Sequence, residues 1–156
     1  MKKIGLVFLS LIIAVVVLAS CKQSNPPKKL SINDRLVGEY DSDLGTWEFD
    51  EDGNVYFSSL EGHWSVETES GGYVPTDDES TDDESPLILK VGFGGYKKNK
   101  GWYKIIFNTE IKRNNHESYK KFSKLNLVME ESSFEGNSSL EEKFSGVDTV
   151  RLTRKK

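Results

Sequence analysis

Cysteine and histidine are scarce in this 156-residue chain, which contains one cysteine and two histidines. A single cysteine excludes an intramolecular disulfide, so the folded part of the chain must be stabilised by its own core. His63 and His116 lie far apart in sequence, and the chain has no Gly-x-Ser-x-Gly turn, His-Glu-x-x-His helix or phosphate-binding loop. We therefore expect no catalytic residues, no metal site, no cofactor and no enzyme activity.

An extended basic surface is also missing, because 21 lysine and arginine residues are outnumbered by 25 aspartate and glutamate residues. Proteins that bind nucleic acid carry a basic face with interleaved aromatic residues. The positive clusters here, at residues 97–100, 120–121 and 154–156, are typical of solvated loops or termini. We predict that the protein does not bind nucleic acid.

One long apolar run opens the chain. Two lysines precede the apolar residues 4–17, and Leu18, two small residues and Cys21 follow. This order resembles the lipobox of bacterial lipoproteins, which implies cleavage before Cys21 and acylation of its thiol. The alternative is an uncleaved transmembrane helix, which needs about 20 apolar residues. We expect residues 1–20 to be a lipoprotein signal peptide. Acyl chains on Cys21 would hold the protein on the extracytoplasmic side of the cell membrane, at the cell surface or in the periplasm.

The rest of the chain divides into a tether and one domain. Residues 21–33 contain Pro26 and Pro27 and nothing that could form a core, which indicates a lipidated cysteine followed by a flexible tether. Residues 34–156 are the size of a single domain, and we expect it to be monomeric. Removing the two leader lysines leaves 19 basic against 25 acidic residues, a net charge of −6.

The excess negative charge is concentrated in an internal repeat. The sequence Thr-Asp-Asp-Glu-Ser occurs twice in succession between Pro75 and Pro86. A run this acidic contains too little apolar surface for burial to offset the entropy lost on ordering. We therefore predict that residues 75–86 form a disordered loop. Outside this loop we expect a surface balanced in sign. The loop could contact a cationic partner through six carboxylates: Asp77, Asp78, Glu79, Asp82, Asp83 and Glu84.

The apolar residues from Leu36 onward alternate with a period of two, which is typical of strands. An Asp52-Gly53 turn between alternating runs predicts a hairpin, and residues 92–95 read as a glycine-rich bend or β-bulge. Helix is confined to short turns near residues 115–122 and 139–144. The sequence predicts an all-β domain with little helix, an antiparallel up-and-down barrel or strongly curved sheet of about eight short strands. These strands lie near residues 38–40, 46–49, 55–57, 63–67, 86–91, 101–107, 125–130 and 149–153.

Three segments resemble the lipocalin-like, or calycin-type, small lipoproteins of bacteria. Residues 36–40 are similar to the opening Gly-x-Trp strand, with Tyr40 at the tryptophan position, and residues 45–66 are similar to the hairpin and strand that follow it. Residues 151–154 are similar to the last barrel strand. The resemblance implies that Arg151 or Arg154 packs over Tyr40, and that one barrel end is closed while the other admits a small apolar ligand or a peptide.

Six aromatic residues are candidates either for the core or for contact with a ligand. Because successive side chains of a strand point to opposite faces, Trp102 and Tyr103 cannot both be inside. The outward member of that pair could mark a contact surface. The six candidates are Tyr40, Trp47, Phe49, Trp64, Trp102 and Tyr103.

These observations favour a non-enzymatic, membrane-anchored lipoprotein that binds a small hydrophobic molecule, a lipid or an amphipathic peptide. An alternative is an immunity-type or inhibitor lipoprotein that intercepts a cationic toxic peptide or a hydrolase through the acidic loop. A further alternative is a structural partner in the assembly of an envelope complex.

Overall fold

The computed structural model describes residues 28–69, 71–72, 86–97, 101–112 and 119–156. Within them, eight strands pair antiparallel in chain order, and β8 pairs with β1 to close a barrel, which confirms the predicted up-and-down β-barrel. None of the helices described is long and apolar enough to cross a bilayer. The elements are α1 (Ile32–Leu36), β1 (Gly38–Ser42), β2 (Gly45–Phe49), β3 (Asn54–Phe57), β4 (Leu60–Thr68), β5 (Leu87–Lys97), β6 (Gly101–Ile111), β7 (Lys124–Glu135), α2 (Ser138–Phe144) and β8 (Thr149–Arg154).

The up-and-down order gives the barrel two distinct ends. Helix α1 leads directly into β1, so the N-terminal segment, the β2–β3 turn and the start of β7 lie at one end, called here the α1 end. The β1–β2 and β3–β4 turns, the β5–β6 connection and helix α2 lie at the opposite end, called the α2 end. The chain that follows Cys21 in sequence therefore enters the barrel at the α1 end.

The predicted Asp-Gly hairpin joins β2 to β3. The Asp50 carboxylate accepts hydrogen bonds from the backbone N–H groups of Asp52 and Asn54, at 3.0 and 2.7 Å, and Gly53 has a φ of 84°. A hydrogen bond from the Asn54 side chain is the main cause that lowers the pKa of Asp50. The turn thus satisfies its own backbone donors and fixes the register of β2 and β3.

Aromatic rings fill the middle of the barrel. Trp47 is fully buried and stacks on Phe57, with ring centroids 4.4 Å apart. Phe93 and Phe107 approach the same indole edge-on, at 5.6 and 5.7 Å. Phe144 of α2 contacts Phe57 at 5.8 Å and Phe107 at 6.2 Å. Four strands and one helix therefore meet on one group of rings that occupies the interior.

Arg154 closes the α1 end. Its guanidinium lies over the Tyr40 ring, 4.6 Å from the centroid, and donates to the Tyr40 hydroxyl. The same side chain donates to the carbonyl oxygens of Arg35, Leu36, Val37 and Phe122, at 2.7 to 3.2 Å. Arg151, the other candidate, lies exposed on the strand. Arg154 was expected among the solvated charges of residues 154–156; instead it is held by hydrogen bonds to four carbonyl oxygens and one hydroxyl.

Three local expectations differ from the structure. Helix α1 was not predicted, although Ser31 and Asp34 form a reciprocal capping box at its start. The prediction of a bend or bulge at residues 92–95 was wrong, because these residues continue β5 and pair with Tyr103–Ile106. Of the two short helices, the one at 139–144 is found as α2, whereas Tyr119–Phe122 is not helical and residues 113–118 lie outside the described part.

Replacing Tyr40 with phenylalanine should change how stability depends on pH. Burial raises the pKa of Tyr40 to about 12, although the nearby Arg154 lowers it in part. A pKa above the unfolded value of about 10 means that the neutral phenol stabilises the fold, and that this contribution is lost as pH rises toward 12. Between about pH 9 and about pH 12, the free energy of unfolding should fall by roughly 2 kcal/mol more in the wild type than in Tyr40→Phe. Parallel pH profiles in urea titrations would contradict this.

We expect a side chain at position 38 to destabilise the fold, because Arg154 occupies the adjacent space. Its φ is 141°, and a Cβ built there would lie 2.1 Å from Nη1 of Arg154. We expect Gly38→Ala to lower the free energy of unfolding by about 2 kcal/mol or more. Gly92→Ala is the matched control, since a Cβ there meets nothing within 4 Å, and it should change stability by less than about 0.5 kcal/mol. Equal effects of the two variants in urea unfolding would refute the role assigned to Gly38.

Candidate functional site at the α2 end

A three-stranded ribbon extends past its neighbours at the α2 end. Pairing of β5 with β4 stops at Phe93, whereas pairing of β5 with β6 continues to Lys97 and Gly101. On the other side, β7 pairs with β6 up to Glu135, although β8 begins only opposite Val128. The ends of β5, β6 and β7 therefore form a surface feature that the rest of the barrel wall does not flank.

Two large aromatic side chains lie exposed on this ribbon. Tyr96 and Trp102 face each other across β5 and β6, with ring centroids 5.7 Å apart, and are 61% and 59% exposed. Tyr103 points inward and is only 7% exposed, as alternation predicts. Two adjacent exposed rings keep apolar surface in contact with water, which is unfavourable, and such a patch often marks a contact surface. We call this feature the aromatic pair.

The outer surface of β1 to β4 is acidic. Residues 36–89 contain no lysine or arginine, and the part of the chain from 38 to 69 contributes ten carboxylates: Glu39, Asp41, Asp43, Glu48, Asp50, Glu51, Asp52, Glu61, Glu67 and Glu69. Residues 90–156 carry 15 basic and eight acidic residues. Outside the acidic loop, the processed chain has 19 basic and 19 acidic residues, which agrees with the expected balance, but ten of these carboxylates lie in residues 38–69, which contain no lysine or arginine. We call the outer surface of β1 to β4 the acidic wall.

Near the α2 end, the acidic wall surrounds Tyr56. The register of β2, β3 and β4 sets Tyr56 between Glu48 and Glu61 in one cross-strand row. Desolvation raises the pKa of Tyr56, and the charges of Asp50, Glu61 and Glu48 raise it further. Among the described residues, neither Glu48 nor Glu61 has a lysine or arginine within ion-pair distance. The row therefore concentrates negative charge on the outer surface of β2 to β4.

A shallow groove runs along the same surface. Its volume is about 370 Å³ and it is open to solvent. Lys143 of α2 borders it, with Nζ 4.4 Å from the centre of the Phe57 ring. The groove is near the lower limit for a ligand pocket, and its openness suits an elongated segment better than a small molecule. Its lining residues are Leu44, Gly45, Thr46, Glu48, Tyr56, Phe57, Ser58 and Lys143.

Most of the predicted aromatic site residues belong to the core. Five of the six candidates are buried: Tyr40, Trp47, Phe49, Trp64 and Tyr103. Trp102 alone is exposed. Its partner Tyr96 is not among the six candidates, because a bend at residues 92–95 would end the strand before it. The alternation of Leu87, Leu89, Val91 and Phe93 would have placed Tyr96 on the outer face of a continuing strand.

The remaining predicted residues are the lipidated cysteine, the acidic loop and His63. Cys21 and the six carboxylates Asp77, Asp78, Glu79, Asp82, Asp83 and Glu84 lie outside the described residues. His63 is exposed on β4, as expected for an outward strand position. In the described ranges, no group of three or more histidine, cysteine, aspartate or glutamate side chains is arranged to hold a metal ion.

Comparison of the chain with protein-family models, with curated proteins and with solved structures finds no match. The geometry of the barrel and its surface is therefore the basis for assigning a function.

Proposed function

We propose that this protein is a lipid-anchored, extracytoplasmic binding protein that holds an amphipathic, cationic polypeptide segment on the outer surface of its α2 end and carries out no reaction on it. The observation that carries the proposal is the exposed aromatic pair on a projecting ribbon beside an acidic wall.

The anchor follows from the leader. The apolar residues 4–17 and the small residues before Cys21 support export and acylation. Two or three acyl chains hold a protein firmly on a bilayer, whereas one chain does so only marginally. The contact of Arg154 with Tyr40 supports the calycin-type resemblance, since that resemblance implies an arginine over the aromatic residue of the first strand.

The filled interior favours a binding surface on the outside. Trp47, Phe57 and Phe107 are at most 1% exposed and contact one another or shared neighbours. A lumenal ligand would have to displace these rings, and the cost of opening such a core is several kcal/mol. Contact on the outer surface needs no such rearrangement.

The chemistry of the α2 end defines the partner. Aromatic side chains that present large exposed surfaces are the usual anchors of protein interfaces. Exposed carboxylates that have no ion-pair partner among the described residues, such as Glu48 and Glu61, attract positive charge and accelerate association. An amphipathic segment with apolar and cationic side chains satisfies both features, with its apolar residues on the aromatic pair and its cations on the acidic wall.

The proposal can be tested with the mature lipidated protein in phosphatidylcholine nanodiscs, titrated by calorimetry with a synthetic amphipathic peptide of leucine and lysine. Tyr96→Ser/Trp102→Ser should raise Kd by about tenfold or more, because it removes the apolar anchor. The matched control Tyr119→Ser/Val128→Ser alters exposed apolar residues elsewhere on the barrel and should leave Kd within about twofold. Empty nanodiscs correct for binding of the peptide to lipid.

The charge component needs a separate comparison. Glu48→Gln/Glu61→Gln should weaken binding severalfold at low ionic strength and much less at high ionic strength, because exposed charges are screened. Glu51→Gln/Glu110→Gln removes the same charge from the α1 end and should have little effect. Binding that is unchanged in both test variants, or equally weak in test and control variants, would refute the proposed surface.

A further inference from the structure

Lys143 brings a positive charge to the groove at the α2 end. It lies in the last turn of α2 and is partly buried, and its Nζ is 4.4 Å from the centre of the Phe57 ring. The next residue, Phe144, is buried in the core against Phe57 and Phe107. Because Phe144 is held there, the fold determines where the side chain of Lys143 leaves the helix.

The ammonium group of Lys143 has no counterion in the described part of the chain. Its contact is with the face of an aromatic ring, which attracts a cation but carries no net charge. By contrast, the outward-facing Lys90, Lys104 and Lys155 each lie 2.7 to 3.1 Å from a carboxylate oxygen. Lys143 therefore keeps a charge that is partly shielded from water and is not paired within its own fold.

The carboxylates near Lys143 define what a complementary ligand must carry. Glu48 lines the same groove, and Glu141 and Glu142 precede Lys143 on α2 and are exposed. Among the described residues, none of these three is within ion-pair distance of Nζ. A ligand with only negative charge would be repelled by this acidic environment. A ligand that places one carboxylate on Lys143 and positive charge beside Glu48 satisfies both signs.

We infer that the groove receives the C-terminal end of the cationic segment, with the terminal carboxylate on Lys143. The inference rests on the proposed function, because it names the part of that segment that enters the groove. A volume of about 370 Å³ is near the lower limit for a ligand site and accommodates only a few residues, which favours a chain end over the middle of a long segment. A chain end also supplies the carboxylate to a segment whose side chains carry only positive charge, and capture of a terminal carboxylate is a recurring mode of peptide recognition.

The test compares two forms of the leucine and lysine peptide, one with a free C-terminal carboxylate and one with a C-terminal amide. Both are titrated by calorimetry into the mature lipidated protein in phosphatidylcholine nanodiscs. At low ionic strength, we expect the wild type to bind the carboxylate form about threefold or more tightly than the amide form, and high salt should reduce the difference. In Lys143→Gln the two Kd values should agree within about 1.5-fold. Lys143→Arg retains the cation and should retain the preference.

The matched control is Lys124→Gln, which removes the same charge at the start of β7 at the α1 end and should leave the preference unchanged. If Lys143 served only to stabilise the fold, its replacement would change the affinity for both peptides by the same factor, and the preference would persist in Lys143→Gln. That result would overturn the inference.

The remaining outcomes separate the inference from the proposed function. Equal binding of both forms to the wild type, with affinity still lost in Tyr96→Ser/Trp102→Ser, would overturn the inference and leave the proposed function intact. Binding of neither form would overturn the proposed function and the inference with it. A third peptide carries a C-terminal amide and one internal glutamate. If it binds as tightly as the free carboxylate form, the chain end is not what the groove recognises, and the inference is overturned.

Discussion

The guanidinium group of Arg154 is the interaction on which the rest of the structure depends. An eight-stranded barrel closes only if its first and last strands meet, and β1 and β8 share just two paired positions, Tyr40 with Arg154 and Asp41 with Thr153. Arg154 strengthens this short seam by donating to four carbonyl oxygens and to the Tyr40 hydroxyl. Gly38 is constrained by the same side chain, because any Cβ would occupy the space of the guanidinium.

Closure of the α1 end has consequences for the other end. With the seam fixed, inward side chains from β3, β5 and β6 contact Trp47 of β2, and Phe144 of α2 packs against Phe57 and Phe107 of this group. Two large aromatic side chains are left exposed outside the barrel, where the ribbon presents the aromatic pair. The chain also concentrates carboxylates on β1 to β4.

The sequence was sufficient to predict the barrel because period-two alternation and turn residues are local signals. The Asp52-Gly53 hairpin, the short strands and the opposite orientation of Trp102 and Tyr103 all follow from neighbouring residues. The site was less accessible to sequence reasoning. Tyr96 joins Trp102 only through the β5–β6 register, and Glu48 joins Glu61 only through the short β3 strand between them. The division of charge between the sides of the barrel likewise requires knowing which strands share a wall.

Hydrogen exchange in an Arg154→Lys variant tests the central claim most directly. Lysine retains the charge but cannot donate to several carbonyl groups in one plane. Our account predicts faster exchange of the backbone N–H groups that join separate segments at the α1 end, those of Phe122 and Lys155, with little change in β3 and the β5–β6 ribbon. Unchanged exchange at these positions, or uniformly faster exchange throughout the barrel, would contradict the claim that Arg154 specifically secures the α1 end.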